Sequence, residues 1–154
     1  MSRPSRFRRT PRIHDISTDT DNPPALVAAS QQRCRWQNPV TYEGERIARL
    51  QHQAYPDIRP IISTLAPEQA WVYARDIVVQ SGWKILREDV TGGTIEAVAV
   101  TPLMRFRDDV VIRVQAQDGG SRVDIRSASR LGISDLGTNA RRIRTFIGHF
   151  TQEL

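Results

Sequence analysis

Two runs of alternating side chains, Asp109 to Gln117 and Arg122 to Ser127, are separated only by Asp118-Gly-Gly-Ser121. Adjacent glycines between such runs signal a tight β-hairpin, because the favoured two-residue turns need positive φ. A turn centred on Gly119-Gly120 sets Arg113 opposite Arg126 and Gln115 opposite Asp124. Side chains alternate across a strand, so Val110, Ile112, Val114 and Ala116 then share the other face with Val123 and Ile125. The hairpin therefore predicts a sheet with one apolar and one charged face, and the rest of the chain must supply a cover for the apolar one.

Two further strands are expected at Trp83 to Glu88 and Thr94 to Thr101, separated by Thr91-Gly-Gly and followed by a loop containing Pro102. Helical periodicity is clear from Pro67 to Gln80, where proline opens the segment, Gly82 lies just past its end, and Ala70, Ala74, Ile77 and Val78 share one stripe. Trp71 and Trp83 read as core. A closing helix starting near Ser134 or Asp135 places Leu136, Ala140, Ile143, Ile147, Phe150 and Leu154 on one side. Weaker helical signals run from Ala25 to Arg35 and from Glu45 to Ala54, the second broken by Tyr55-Pro-Asp-Ile-Arg-Pro60. Helix, four antiparallel strands and helix make an α+β two-layer sandwich, with a four-stranded antiparallel sheet and two main helices on one face. Residues 25–154 are expected to form this single domain, and residues 1–24 a disordered basic tail and an extended lead-in.

The net charge of +5 is carried by Arg3, Arg6, Arg8, Arg9 and Arg12, since basic and acidic residues balance from Ile13 onward. A neutral folded part, whose Trp and Tyr residues do not alternate with arginine, argues against nucleic acid as a partner. The tail reads either as a solvated terminus or as a contact for phosphate or acidic lipid, which makes a membrane surface a candidate partner. The single cysteine, Cys34, is expected to be partly buried and leaves neither an internal disulfide nor a multi-thiolate zinc site. His14, His52 and His149 lack ligand spacing, so no metal and no cofactor are expected. There is no apolar run of about 18 residues, and no apolar stretch of a secretion signal follows the arginines. The chain as it stands is expected to be cytoplasmic.

Arg113 and Arg126, opposite one another on the charged face, repel unless anions lie between them. Asp124 is diagonal to Arg113, Asp109 falls opposite Arg130, and Glu96 is a further candidate member. Two readings follow: a salt-bridge network within the face, or a pocket whose guanidinium groups grip phosphate or carboxylate bidentately. The loop from Ser127 to Asp135 opens on a helix N-terminus, whose N–H groups and dipole attract anions, with Ser129 and Arg130 as added donors. Equally, Ser134 and Asp135 are N-cap residues that satisfy those donors. The loop lacks Gly-Lys-Ser/Thr and the only lysine is Lys84, which excludes a Walker-type phosphate loop. Asp108 and Asp109 point to opposite faces and form no acid/base dyad. No G-x-S-x-G elbow marks a nucleophile. Asp57 and Arg59 lie in a stiff segment that either borders the charged face or pairs internally. The candidate ligand-binding set is Arg113, Asp124, Arg126, Ser129, Arg130, Asp135, Asn139, Arg142, Arg59 and Glu96.

Asp21-Asn-Pro-Pro24, Asn38-Pro-Val-x-Tyr42, Tyr55-Pro-Asp-Ile-Arg-Pro60, Gly82-Trp83, Glu96-Ala97, Phe106-x-Asp-Asp-Val110, Arg113-Val114, Val123-Asp-x-Arg-Ser-x-Ser-Arg130 and Gly132-x-Ser-Asp-Leu-Gly-x-Asn-Ala-Arg-Arg-Ile143 together resemble the bacterial and plastid family known as domain of unknown function 1499. The resemblance implies no activity, cofactor or catalytic residue. Some similar proteins carry membrane helices ahead of a lead-in like His14 to Asp19, so it implies a membrane surface or periplasmic location should coding sequence extend upstream of Met1. The leading functional expectation is a non-enzymatic binding module for a small anionic ligand or an acidic surface. The alternatives are a hydrolase or transferase using Glu96, Asp109 or Asp124 as base, and a membrane-associated structural or assembly domain.

Overall fold

In the computed structural model, which describes residues 10–152, the hairpin pairs β5 (Arg107–Gln117) with β6 (Gly120–Ser129). Its turn residues are Asp118 and Gly119, at φ of 48° and 79°, the two left-handed positions of a type I′ turn. The turn therefore sits one residue earlier than expected. Gln117 pairs with Gly120, Arg113 faces Asp124 rather than Arg126, and Gln115 faces Arg122. Each opposing partner moves by two residues, so every side chain keeps its expected face. Gly120 serves another purpose: a Cβ there would lie 2.1 Å from the Ser63 carbonyl oxygen of a neighbouring strand, so only glycine permits that approach.

That neighbour enlarges the sheet. β3 (Lys84–Asp89) and β4 (Thr94–Val100) extend it beyond β5, while two three-residue strands, β1 (Asp15–Ser17) and β2 (Ile61–Ser63), share the outer edge of β6. β1 pairs with Arg126 to Ala128 and β2 with Ser121 to Val123, both antiparallel. Among the described residues the sheet thus has six strands rather than four, the two extra ones unforeseen because three residues are too few to show alternation. The lead-in expected outside the domain enters it at β1, with Ile13 and Ile16 fully buried. The free edge of β1 is closed by one side chain: the Ser17 N–H donates to Gln51 Oε1 at 3.0 Å, and Gln51 Nε2 donates to the Ser17 carbonyl at 2.7 Å. An amide thus stands in for a further strand at an edge that would otherwise be exposed.

α3 (Pro67–Gln80) and α4 (Thr138–Thr151) cover the apolar face, joined by Ile47 of α2 (Glu45–Ala54). Ala70, Trp71, Ile77 and Val78 meet Ile143, Phe146 and Phe150 over Ile95, Ile112, Val123 and Ile125, each large side chain contributing about 1.5–3 kcal/mol on burial. Trp83 is partly buried against the same core. α4 starts at Thr138, later than expected, because Leu136 and Gly137 both have left-handed backbone. Leu136 consequently leaves the apolar stripe and is exposed. The expected unstructured tail at residues 1–9, and Leu154 on the last stripe, lie outside the described residues.

The opposite face is not open, contrary to a two-layer arrangement with a bare charged side. α1 (Val27–Gln32) and flanking chain lie over it, and Leu26, Ala29 and Val40 pack on Val111 and Ala128. Cys34, just beyond α1, is exposed rather than partly buried. Among the described residues, no helix is long and apolar enough to cross a membrane.

Candidate functional site

The candidate residues separate onto the two faces of the sheet. On the face beneath α1, three acid–arginine clusters run along β5 and β6. At the hairpin end, Arg122 Nε donates to Asp124 Oδ2 at 2.8 Å, and Arg122 and Arg113 each donate to Asp19 Oδ2 at 3.0 Å. Thr18 Oγ1 donates to the other Asp124 oxygen at 2.7 Å. In the middle, Arg126 grips Asp15 bidentately at 2.9 and 2.7 Å and donates to the carbonyls of Pro24 and Val40 at 2.9 and 2.6 Å. The third cluster centres on Asp109, wholly buried, which accepts from Arg33 Nε at 2.9 Å and from Arg130 at 3.0 and 2.8 Å. Arg113 and Arg126 thus do not face each other, and the arginines of this face are met by the chain's own carboxylates, two of which, Asp15 and Asp19, come from the lead-in.

Glu96 lies on this face but meets no guanidinium directly among the described residues. Its carboxylate accepts the N–H groups of Val27 and Ala28 at the start of α1, a helix whose preceding Leu26 offers no capping oxygen. Burial raises the Glu96 pKa, partly offset by those backbone donors. Arg59 stands apart: it is exposed and donates to the Pro56 carbonyl, while its neighbour Asp57 pairs with Arg144 at 2.7 Å. That bond holds the Asp57 carboxyl below its ordinary range.

On the helix side the structure brings together Ser129, Asp135, Asn139 and Arg142, and adds Asp108 and Ser127. Asn139 Nδ2 donates to Ser129 Oγ at 2.9 Å, while Asn139 Oδ1 accepts from Ser127 Oγ at 2.6 Å and from Arg142 at 3.0 Å. Asp135 accepts the N–H groups of Gly137 and Asn139 at 2.7 and 3.0 Å, capping the helix from outside its first turn. Asp108 Oδ2 sits 2.7 Å from Arg142 Nη1, forming a buried ion pair with it. Ser127 Oγ donates to Asn139, Ser129 hydrogen-bonds the Asp108 carboxylate, and the cluster ties the first turns of α4 to the ends of β5 and β6.

Burial raises the Asp108 pKa against the opposing pull of Arg142 and Ser129. A carboxyl with a raised folded-state pKa contributes stability that is full below its ordinary pKa and is lost as pH rises through the raised one. Asp108→Asn should therefore raise the thermal midpoint relative to wild type at about pH 8, with the gain vanishing near about pH 3, where both side chains are neutral. An equal effect at both pH values would contradict this.

Four segments converge where β6 ends and β5 begins. The Arg130 N–H donates to the Arg107 carbonyl at 3.1 Å, and the Asn38 N–H to the Arg130 carbonyl at 2.7 Å. Asn38 Nδ2 donates to the Gly132 carbonyl at 2.9 Å, and Ser134 Oγ to the Pro11 carbonyl at 3.2 Å. Residues 10–13, 33–38, 101–107 and 130–137 so form one end of the molecule. It presents exposed Arg12, Arg35, Arg105 and Arg107, none with a carboxylate partner among the described residues. The one acid in these segments, Asp135, is turned onto backbone N–H groups.

Sequence reasoning missed Asp15, Asp19, Arg33 and Arg122 as partners, and with them the convergence of loops at this end. The one available signal was the acid-rich lead-in, whose carboxylates could be matched against the excess arginines of the hairpin. Among the described residues no group of three or more histidine, cysteine or acidic side chains is placed to hold a metal.

No curated protein matches the chain. Among solved structures, the crystal structure of CalU16 from Micromonospora echinospora is similar at 14% identity, over 61% of this chain and 74% of that one, with a TM-score of 0.34; so loose a likeness carries no argument. The profile of the family described as "Protein of unknown function (DUF1499)" matches residues 15–150, from the start of β1 to the last turn of α4. With the match running through every strand and helix of the fold, the chain belongs to that family.

Proposed function

We propose that this domain is a non-enzymatic binding module for acidic surfaces, which it meets with the loop end of the sheet and the arginine-rich residues leading into it. One observation carries the reading: the arginines of the sheet face are already neutralised by Asp15, Asp19, Asp109 and Asp124, whereas those of the loop end meet no carboxylate among the described residues. A small anion on Arg113, Arg126 or Arg130 would have to displace buried carboxylates from bidentate or shared contacts. An acidic surface at the loop end displaces only water. Arg3, Arg6, Arg8 and Arg9 precede Thr10 in the sequence and add four more positive charges with no acid among them. The opposite end carries Asp118 in its turn and Asp89, paired with Arg87, at the end of β3, so the excess positive charge of the loop end orients the domain before contact.

Retention on an immobilised anionic polymer tests this. Reversal of Arg35, Arg105 and Arg107 to Glu is expected to abolish retention near physiological salt, since each cation at an acidic surface contributes about 1 kcal/mol. Reversal of Arg59, Arg75 and Arg87 changes net charge equally but should leave retention largely intact. Equal losses from both variants would reduce the binding to net charge alone and end the proposal.

A further inference from the structure

We infer, building on that reading, that the acidic surface is a phospholipid bilayer, and that the loop end sinks apolar side chains into its headgroup–acyl boundary. Among the described residues, every exposed Leu, Met, Phe and Trp lies at this end. Trp36 is 78% exposed, Leu103 89%, Met104 64% and Leu136 73%, with Phe106, Leu131 and Ile133 about half exposed or more. Val100 borders this end opposite Arg107, and the exposed large apolar residues elsewhere among the described residues are Val and Ile only, at Val27, Ile62, Val72, Val79 and Val90. Apolar exposure gathered at one end in this way marks an interaction surface.

Several features select lipid as the occupant. The apolar side chains are interleaved with the unpaired cations Arg35, Arg105 and Arg107, the arrangement that suits an interface where apolar groups sink and guanidinium groups stay at phosphate level. Arg35 stacks on the Trp36 ring at 4.7 Å, joining a residue favoured at headgroup depth to a phosphate-binding cation. The arginine-rich residues preceding Thr10 supply a second attraction, and stable membrane attachment takes two signals. Arg105 and Leu136 hold left-handed backbone at φ of 58° and 54°, a conformation costly for residues with side chains. Both are exposed.

The test uses the full chain with vesicles of two parts phosphatidylcholine to one part phosphatidylserine, and with pure phosphatidylcholine. On the mixed vesicles, tryptophan emission should shift to the blue and be quenched by brominated acyl chains, and Trp36→Phe should remove both signals. Leu103→Ser/Met104→Ser/Phe106→Ser, at exposed sites, should lower vesicle affinity at least about tenfold while leaving retention on the anionic polymer unchanged. Binding to the mixed vesicles without blue shift or quenching, and with the serine variant unimpaired, overturns the inference but leaves acidic-surface binding standing. Absence of retention on the polymer overturns that underlying reading instead. A lipid-independent, concentration-dependent shift of Trp36 together with a dimer in sedimentation would assign the face to a second copy of the chain and also overturn the inference.

Discussion

Asp109→Ala is expected to cost the domain at least about 3–5 kcal/mol, the penalty for stripping the partner from a buried charge. Arg33 and Arg130 both rely on this one carboxylate, and their side chains are almost as buried as it is. Removing it leaves two guanidinium groups, from the α1 segment and from the end of β6, facing each other without a counter-charge. Against a total stability of about 5–15 kcal/mol, the loss is large enough to leave much of the protein unfolded at 37 °C. Urea unfolding at neutral pH measures it directly. The triple replacement Asp109→Leu, Arg33→Met and Arg130→Met should recover much of the loss, because a whole buried ion cluster exchanged for apolar groups is often neutral or stabilising. An Asp109→Ala variant within about 1 kcal/mol of wild type, the range of exposed pairs, would mean that the cluster is hydrated and that α1 does not seal it.

The second large effect is expected at Arg126. Its guanidinium joins β1 through Asp15, the lead-in through Pro24 and the chain beyond α1 through Val40, and it lies over the Tyr42 ring at 5.6 Å. Arg126→Met should again cost about 3–5 kcal/mol, since it strands a buried carboxylate and leaves two carbonyls unsatisfied. Its signature is spatial. Amide protons of β1 should lose protection against exchange, with proteolytic nicking between Thr18 and Thr41, while the central strands β4, β5 and β6 stay protected. Arg126→Lys should rescue little, because one ammonium cannot span acceptors on three segments in the geometry of a planar fork. Uniform loss of protection across the sheet would show that Arg126 supports the whole core rather than fastening the lead-in to it.

The arginine expected to face Arg126 shows where a sequence reading stops. Both Gly119-Gly120 and Asp118-Gly119 satisfy the turn chemistry of a hairpin, and no local preference separates them decisively. The choice rests on the Ser63 carbonyl, which approaches Gly120 too closely for any side chain and comes from a strand nearly sixty residues away. Because the two registers differ by two residues, the faces of Val110, Ile112 and Val114 were legible and their partners were not. The same limit hid β1 and β2, whose three residues carry no period, and the late start of α4, which depends on left-handed backbone at Leu136 rather than on composition.

The candidate site followed the same division. Ser129, Asp135, Asn139 and Arg142 form one cluster as their spacing implies, since loop and helix are continuous in the chain. Arg113, Arg126 and Arg130 share a face as strand alternation requires, and Asp124 and Asp109 meet Arg113 and Arg130 as expected, but Asp15 and Asp19, which meet Arg126 and Arg113, arrive from the lead-in. Alternation of period two and the helical stripe of α3 are properties of neighbouring residues, so the α+β architecture and the placement of the core were written in the sequence itself. Which carboxylate each long arginine side chain meets, and which loops gather their exposed apolar residues at one end, depends on segments up to about a hundred residues apart. Only closure of the tertiary structure sets those distances, and Coulombic pairing and burial are functions of distance.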